Sequence, residues 1–327
     1  MAESVNALAS RYPSNRFVIT IRPVSFSKQV QLIKFDYYKL LPWSEVQVQA
    51  FINRWATLSS DPAAREQAEP LLAAIRSRGE LRALASNPLL LTLIAQLYRH
   101  QSAMPIARSE LYKQAVNMLL DRWDMVRGIN RGDIDRFYLD TLSAVALKMC
   151  ERQVVEIDET EVVRTLAKLR GTPSNETATI QSILKTGGGL LVEEESGKYR
   201  FVARSLQEYF AARALVNSPH PIQATLEHKE DPYWREVILF VIDFLMQGNS
   251  VKGNELLQSL LDTSNTYSVI LVGQYLTENS ATKADANFIK HVHDALRQME
   301  SDDTLEPAIR ETSKIIKGEI NRFLETA

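Results

Sequence analysis

The chain has 327 residues, with 38 lysines and arginines against 40 aspartates and glutamates, so its net charge is −2 and its isoelectric point is near 6.3. This balance gives no overall attraction to nucleic acid or to an anionic membrane. The length predicts two or more compact units, and 45% hydrophobic with 24% charged residues is typical of a globular protein. The single cysteine, Cys150, excludes a disulfide framework and a zinc cluster and suits a reducing cytoplasm.

No targeting or membrane segment is expected. Residues 1–10 contain no basic region followed by an apolar core, which a signal peptide would need. The longest apolar run, residues 237–246, contains Asp243 and is too short to cross a bilayer. We therefore expect a cytoplasmic protein without a membrane partner.

Two strands are predicted near the N-terminus. Residues 16–22 form a short apolar run that ends at Pro23, which lacks the N–H that a strand ladder requires. Residues 30–38 give a second strand. We expect the two to be parallel neighbours that remain from a larger α/β sheet.

Helices dominate from residue 44 onward. Ser44 and Gln47 form a capping box before a helix with apolar residues at helical spacing. Asn87 and Pro88 are a favourable N-cap and first residue for a later helix. The helices continue to about Arg127, and the glycines of residues 127–132 predict a break.

Residues 133–203 have the element order of a winged helix. Three helices are predicted near 133–151, 158–170 and 175–186, followed by a hairpin of residues 190–194 and 199–203. Ser205 and Glu208 form a second capping box, which opens an amphipathic helix. Beyond Pro219 the chain is helical again, and paired helices stacked as a short solenoid would fit.

Three segments resemble one protein family. Residues 199–212 are similar to a signature of an aromatic residue, a His two residues on, Ser/Thr, and then Gln-Glu-Tyr. Residues 16–23 are similar to a strand that ends in Thr-Ser-Arg-Pro, with Ile21 in place of the Ser. Residues 84–94 resemble the start of a small helical lid, and further matches follow it at residues 104–123. In this order the segments resemble NACHT-type STAND nucleotide-switch proteins.

The resemblance implies roles for three residues. Arg22 would be the sensor 1 arginine, whose guanidinium reaches the terminal phosphate of the nucleotide and offers it paired donors. Pro88 would pack on the adenine ring. Ala203 occupies the position of the winged-helix His that contacts a phosphate in the closed, ADP-bound state. Alanine cannot make that contact, so we expect weakened autoinhibition, an altered protein, or a closed state that is held by other means.

The front half of such a nucleotide switch is not found in this sequence. No Gly-x-x-x-x-Gly-Lys-Ser/Thr loop is present, and the glycines of residues 187–189 end a helix before the hairpin. No strand before Arg16 ends in acidic residues that could hold Mg²⁺. We therefore expect the chain to begin between the magnesium-binding strand and sensor 1. By itself it would have no cofactor, metal or catalytic activity, although the parent protein would be an NTPase that uses ATP or ADP with Mg²⁺.

The sequence carries few features of other function classes. In a DNA-binding winged helix, residues 175–185 would enter the major groove, but only Lys185 in them is basic, and the wing contains three glutamates at 193–195. His291 and His293 are about 200° apart around a helix and cannot share one metal ion. No hydrolase motif occurs. A stand-alone helical adaptor with no nucleotide role remains the second hypothesis.

The sequence therefore predicts a mainly α protein with a remnant of a parallel α/β sheet at its N-terminus. Its domains would be the core remnant (1–42), the helical lid (43–128), the winged helix with its β-hairpin (129–218) and a C-terminal helical array (219–327). That array would be either a sensor or only a packing buttress. The partners would be the P-loop-containing core, further copies of the activated protein and an unidentified stimulus, in antiviral defence or innate-immune signalling. No nucleic-acid partner is expected.

Overall fold

The computed structural model describes residues 2–19, 35–36, 38, 40–58, 62–77, 81–82, 85–98, 107–127, 133–170, 190–195, 197–262, 265–278 and 285–326. The chain divides into two units, Met1–Pro42 and Trp43–Ala327. In the described residues, helices predominate and a single small sheet of three strands is present.

The first unit contains helix α1, Ala2–Arg11. Residues 16–19 lie in no helix or strand, and the side chain of Val18 is 91% exposed. The prediction of a buried strand is therefore wrong for these four residues. A strand needs a neighbour that pairs its N–H and C=O groups, and the described part of this unit contains none. Residues 35, 36 and 38 are likewise in no strand, while Arg22 and the rest of both predicted strands lie outside the described residues.

The helices of the second unit whose full ranges are described begin with α2 (Glu45–Leu58), α3 (Pro62–Ser77), α4 (Pro88–Tyr98) and α5 (Arg108–Arg127). The first capping box is confirmed, because the Ser44 N–H donates to Gln47 Oε1 at 2.9 Å and the Gln47 N–H donates to Ser44 Oγ at 3.4 Å. Asn87 caps α4 by accepting the Leu90 N–H at 3.3 Å, and Pro88 is the first helical residue as predicted.

The next elements form the winged helix: α6 (Asp133–Glu151), β1 (Ile157–Asp158), α7 (Glu159–Arg170), β2 (Leu191–Glu195), β3 (Lys198–Phe201) and α8 (Arg204–Val216). The sheet order is β1-β3-β2, and both pairings are antiparallel. The hairpin turns at Gly197, whose φ of +76° favours glycine. The predicted helix 175–186 lies outside the described residues.

The C-terminal part is a helical array, as predicted. It comprises α9 (Pro221–Leu226), a 3₁₀ turn (Pro232–Trp234), α10 (Arg235–Gly248), α11 (Ser250–Leu261), α12 (Thr266–Glu278), α13 (Ala286–Ser301) and α14 (Pro307–Thr326). Consecutive helices from α10 to α14 pack on one another. None of the helices in the described ranges is both long enough and apolar enough to cross a membrane.

Helix α8 lies at the centre of the second unit. Eight of its residues are buried, and it packs against α6, α10 and α5. The core is therefore continuous from the winged helix into the C-terminal array. This placement makes the Gln-Glu-Tyr signature of α8 a set of buried contacts.

Candidate functional site

Residue 203 joins β3 to α8, and the resemblance places it where the family has a phosphate-contacting His, which we call the switch position. Ala203 is partly exposed and has an extended backbone with φ −141° and ψ 140°. Its carbonyl accepts the Leu206 N–H at 3.1 Å and the Gln207 N–H at 3.4 Å, but its side chain caps nothing. The methyl group offers no polar atom, so a ligand at this position could meet only backbone and neighbouring side chains.

The capping box predicted for Ser205 and Glu208 is wrong. Helix α8 begins at Arg204, so Ser205 lies inside the first turn instead of at the N-cap. The Glu208 carboxylate instead accepts from Arg204 Nε at 3.1 Å, one turn back along the same helix. The burial of Glu208, whose side chain is 3% exposed, explains this choice, because a buried carboxylate needs a charged partner.

Arg204 also contacts the region that follows the winged helix. Its guanidinium lies over the Tyr233 ring, 4.1 Å from the centroid, and the side chain is only 16% exposed. Such a contact between a cation and an aromatic face is stronger where water is excluded. The residue next to the switch position is therefore held on one side by Glu208 and on the other by Tyr233.

Gln207, the first residue of the signature triplet, fixes the turn after α6. Its Nε2 donates to the Val154 carbonyl at 3.1 Å and lies 3.6 Å from Cys150 Sγ. Burial raises the pKa of the Cys150 thiol to about 12, so this cysteine stays protonated and is no nucleophile at neutral pH. In the same turn, Gln153 has a left-handed backbone with φ of 55° and donates to Asp231 Oδ2 at 2.7 Å.

Tyr209, the last residue of the triplet, joins three helices. Its ring centroid lies 5.8 Å from that of Tyr112 on α5 and 5.7 and 5.3 Å from those of Phe240 and Phe244 on α10. Tyr112 and Phe240 also contact each other edge to face at 5.0 Å. Aromatic pairs at these separations attract beyond their apolar burial. The cluster fastens α8 of the winged helix to the C-terminal array.

A second buried joint lies at the start of α5. The backbone N–H of Ser109 donates to Asp243 Oδ2 at 2.6 Å. Both residues are buried, with Ser109 2% and Asp243 5% exposed. Arg108 pairs with Glu236 at 2.7 Å and lies over the Phe240 ring at 4.5 Å. Asp243 therefore supplies to α5, from a distant helix, the carboxylate that a local N-cap usually provides.

The residues assigned to nucleotide binding remain predictions. Pro88 is exposed at the start of α4, where its ring is accessible to a ligand, and Arg22 lies outside the described residues. The described side chains include no group of three or more His, Cys, Asp or Glu residues that could hold a metal ion. His291 is exposed, whereas the side chain of His293 is only 17% exposed and its Nδ1 lies 3.3 Å from Asp294 Oδ1.

The family comparison agrees with this geometry. Residues 108–215 match the family described as the winged helix-turn-helix domain C-terminal to NACHT. Residues 108–215 therefore form a winged helix of the kind that follows NACHT domains. The match runs from α5 to α8, so it includes both Ser109 and the signature triplet of residues 207–209. No curated protein sequence matches the chain.

Two contacts of residues 108–215 were not predicted from the sequence. The Arg204–Tyr233 contact has no local signature, because the two residues belong to different elements. The Asp243 joint did leave a signal, since an acidic residue within an apolar run needs a specific buried partner. That signal does not name Ser109, which is 134 residues away in the chain.

Proposed function

We propose that this chain is the regulatory C-terminal portion of an ATP/ADP-switched NACHT-type signalling NTPase. The observation that carries the proposal is the match of residues 108–215 to the winged helix that follows NACHT domains. In the proposed cycle, the winged helix closes over a nucleotide held by the NACHT core and moves away on activation. The helices after it transmit the stimulus.

Exposed apolar side chains in the first unit support a NACHT core as the partner. Apolar side chains in its described part are strongly exposed: Tyr38 is 90%, Leu40 93% and Leu41 74% exposed. Neighbouring apolar residues that remain exposed mark an interaction surface. A P-loop-containing α/β core, in the same chain or another, would cover them as part of its own sheet and helices.

The nucleotide would be held mainly by that core. The 327 residues contain no phosphate-cradling loop of the Gly-x-x-x-x-Gly-Lys-Ser/Thr type. Arg22 would add the sensor contact to the terminal phosphate and Pro88 the packing surface for adenine. ATP or ADP with Mg²⁺ would therefore bind only to the complete NTPase, and this chain alone would not hydrolyse ATP.

The closed state of this protein would be stabilised by other contacts than in a relative that has a His at the position of Ala203. Ala203 contributes no phosphate contact, so the closed state would depend on the other contacts of the winged helix. We propose that activation leads to self-association of the protein in the cytoplasm, in antiviral or innate-immune-type signalling. The stimulus would act on the helices α9–α14.

The proposal is tested by calorimetry on two proteins. One contains residues 1–327 alone, and the other carries the same residues after a P-loop NTPase core of the NACHT type. ADP with Mg²⁺ should bind to the second protein and show no saturable binding to the first. Arg22→Ala should weaken binding of ATP to the second protein, whereas the control Arg16→Ala, which removes a nearby exposed arginine, should not.

Two results would contradict the proposal. Saturable ATP or ADP binding by residues 1–327 alone would show a nucleotide site independent of a P-loop core. Equal binding by the core with and without this chain, with no effect of Arg22→Ala, would favour the helical adaptor. In that case the chain would interact with other proteins and take no part in the nucleotide cycle.

A further inference from the structure

One short segment touches both the start of α8 and the C-terminal helices. We call residues 228–236 the coupling segment. On the winged-helix side, its Tyr233 ring lies under the Arg204 guanidinium at 4.1 Å, and its Asp231 accepts from Gln153 Nε2 at 2.7 Å. Glu236 at its end pairs with Arg108 at 2.7 Å.

The other side of the coupling segment contacts α12. Arg235 Nε donates to Gln274 Oε1 at 2.9 Å. The Tyr267 hydroxyl reaches the Pro232 carbonyl at 3.5 Å. The segment therefore bridges α12 and the residue that follows position 203.

Internal contacts make the coupling segment stiff. Asp231 Oδ1 accepts the Tyr233 N–H at 2.9 Å, and the Asp231 carbonyl accepts the Trp234 N–H at 3.0 Å. The His228 ring stacks on the Trp234 ring with centroids 3.5 Å apart and planes 6° apart, and Trp234 is 2% exposed. A segment packed in this way moves as a body, so a shift at its α12 side also moves Tyr233.

We propose that the coupling segment transmits displacements of α12 to the backbone around residue 203 through the Tyr233–Arg204 contact. The meaning of position 203 as a nucleotide switch rests on the proposed function. The coupling itself is a property of the folded chain and needs no nucleotide. It can therefore be tested separately, and its failure would leave the nucleotide proposal standing.

The test is amide hydrogen exchange on residues 1–327. Gln274→Ala removes the bond to Arg235 at the α12 side, and exchange is read at residues 203–207, which Gln274 does not contact. Loss of one side-chain hydrogen bond changes a local opening equilibrium about three- to tenfold. We expect a rise of about threefold at residues 203–207, transmitted through Tyr233. The matched control is Gln258→Ala, which removes the exposed bond from Gln258 to Asp262 on α11 and should leave these amides unchanged.

A double-mutant cycle identifies the route. Tyr233→Leu keeps an apolar side chain but removes the aromatic face under Arg204, so adding Gln274→Ala to it should cause no further rise at residues 203–207. Tyr233→Phe retains the face and should preserve the full response to Gln274→Ala. The proposal is overturned if Gln274→Ala leaves residues 203–207 unchanged, or if its effect adds fully to that of Tyr233→Leu.

Discussion

The buried carboxylate of Asp243 gives a quantitative test of the joint between α5 and the C-terminal array. Asp243→Ala removes the only acceptor found for the Ser109 N–H among the described residues, at 2.6 Å, and leaves that donor buried. An unsatisfied buried donor costs about 1–3 kcal/mol, so the free energy of unfolding should fall by this amount. Asp243→Asn retains an oxygen that accepts the same bond, and should differ from the wild type by less than about 1 kcal/mol at pH 7.

The stability of the wild type should depend on pH differently from that of Asp243→Asn, because only the wild type has a carboxyl at residue 243. Burial raises the pKa of its carboxyl above the ordinary value, against the opposing hydrogen bonds from Ser109 and the charge of Arg108. The folded state therefore binds this proton more tightly than the unfolded state does. The resulting stabilisation is fully present below the unfolded pKa, about 3.9, and is lost as the pH rises through the raised folded value.

The assay is urea unfolding from acidic to neutral pH, followed by fluorescence. Asp243→Asn lacks the titrating group, so its stability relative to the wild type should increase as the pH rises through the folded pKa of Asp243. An Asn variant as unstable as the Ala variant at pH 7 would refute the reasoning, because it would show that the negative charge and not the hydrogen bond holds α5. An Ala variant equal to the wild type would show that the bond contributes nothing.

Three further predictions concern the packing and the switch position. Tyr209→Ala should lower the free energy of unfolding by about 3–5 kcal/mol in urea titrations because it empties the aromatic cluster, whereas Tyr209→Phe keeps the ring and should cost less than about 1 kcal/mol. Gly253→Ala should lower the free energy of unfolding by about 1–3 kcal/mol, because the added Cβ would lie 2.9 Å from the Met246 backbone nitrogen. The control Gly318→Ala in α14 adds a Cβ with nothing within 4 Å, so it should raise the free energy of unfolding by about 0.5–1 kcal/mol in the same titration. Ala203→His, in a protein that includes the P-loop core, should add a charge-assisted hydrogen bond of about 1.5–3 kcal/mol and raise ADP affinity about tenfold or more in calorimetry. An unchanged affinity would show that residue 203 does not face the phosphates.

Local signals predicted two of the helix starts and, for the described residues, the order of the elements from α6 to α8. The Ser44–Gln47 box and the Asn87 cap depend only on residues within one turn, and the structure contains both. The Ser205–Glu208 box has the same pattern but failed, because Glu208 is buried beside Arg204. Burial depends on the tertiary fold, so the sequence pattern alone could not show that Glu208 would pair with Arg204 instead of capping the helix with Ser205.

Elements that depend on distant partners were the hardest to predict. Strand β1 has only two residues and exists because it pairs with Lys198 and Tyr199 of β3, so it carries no periodicity of its own. The apolar run at residues 16–19 has the composition of a strand, but Val18 is exposed in the described structure. Family resemblance, by contrast, identified the winged helix from the Gln-Glu-Tyr triplet of residues 207–209. In the structure all three residues of this triplet are buried and make specific contacts.

The central claim is that this winged helix responds to the nucleotide held by a NACHT core. The most direct measurement is amide hydrogen exchange of residues 197–207 in the protein that carries the core, compared between the ADP-bound and ATP-bound forms. We expect stronger protection of these amides with ADP, because the proposed cycle closes the winged helix over the nucleotide in that state. Identical exchange in the two forms, with both nucleotides bound at saturation, would contradict it.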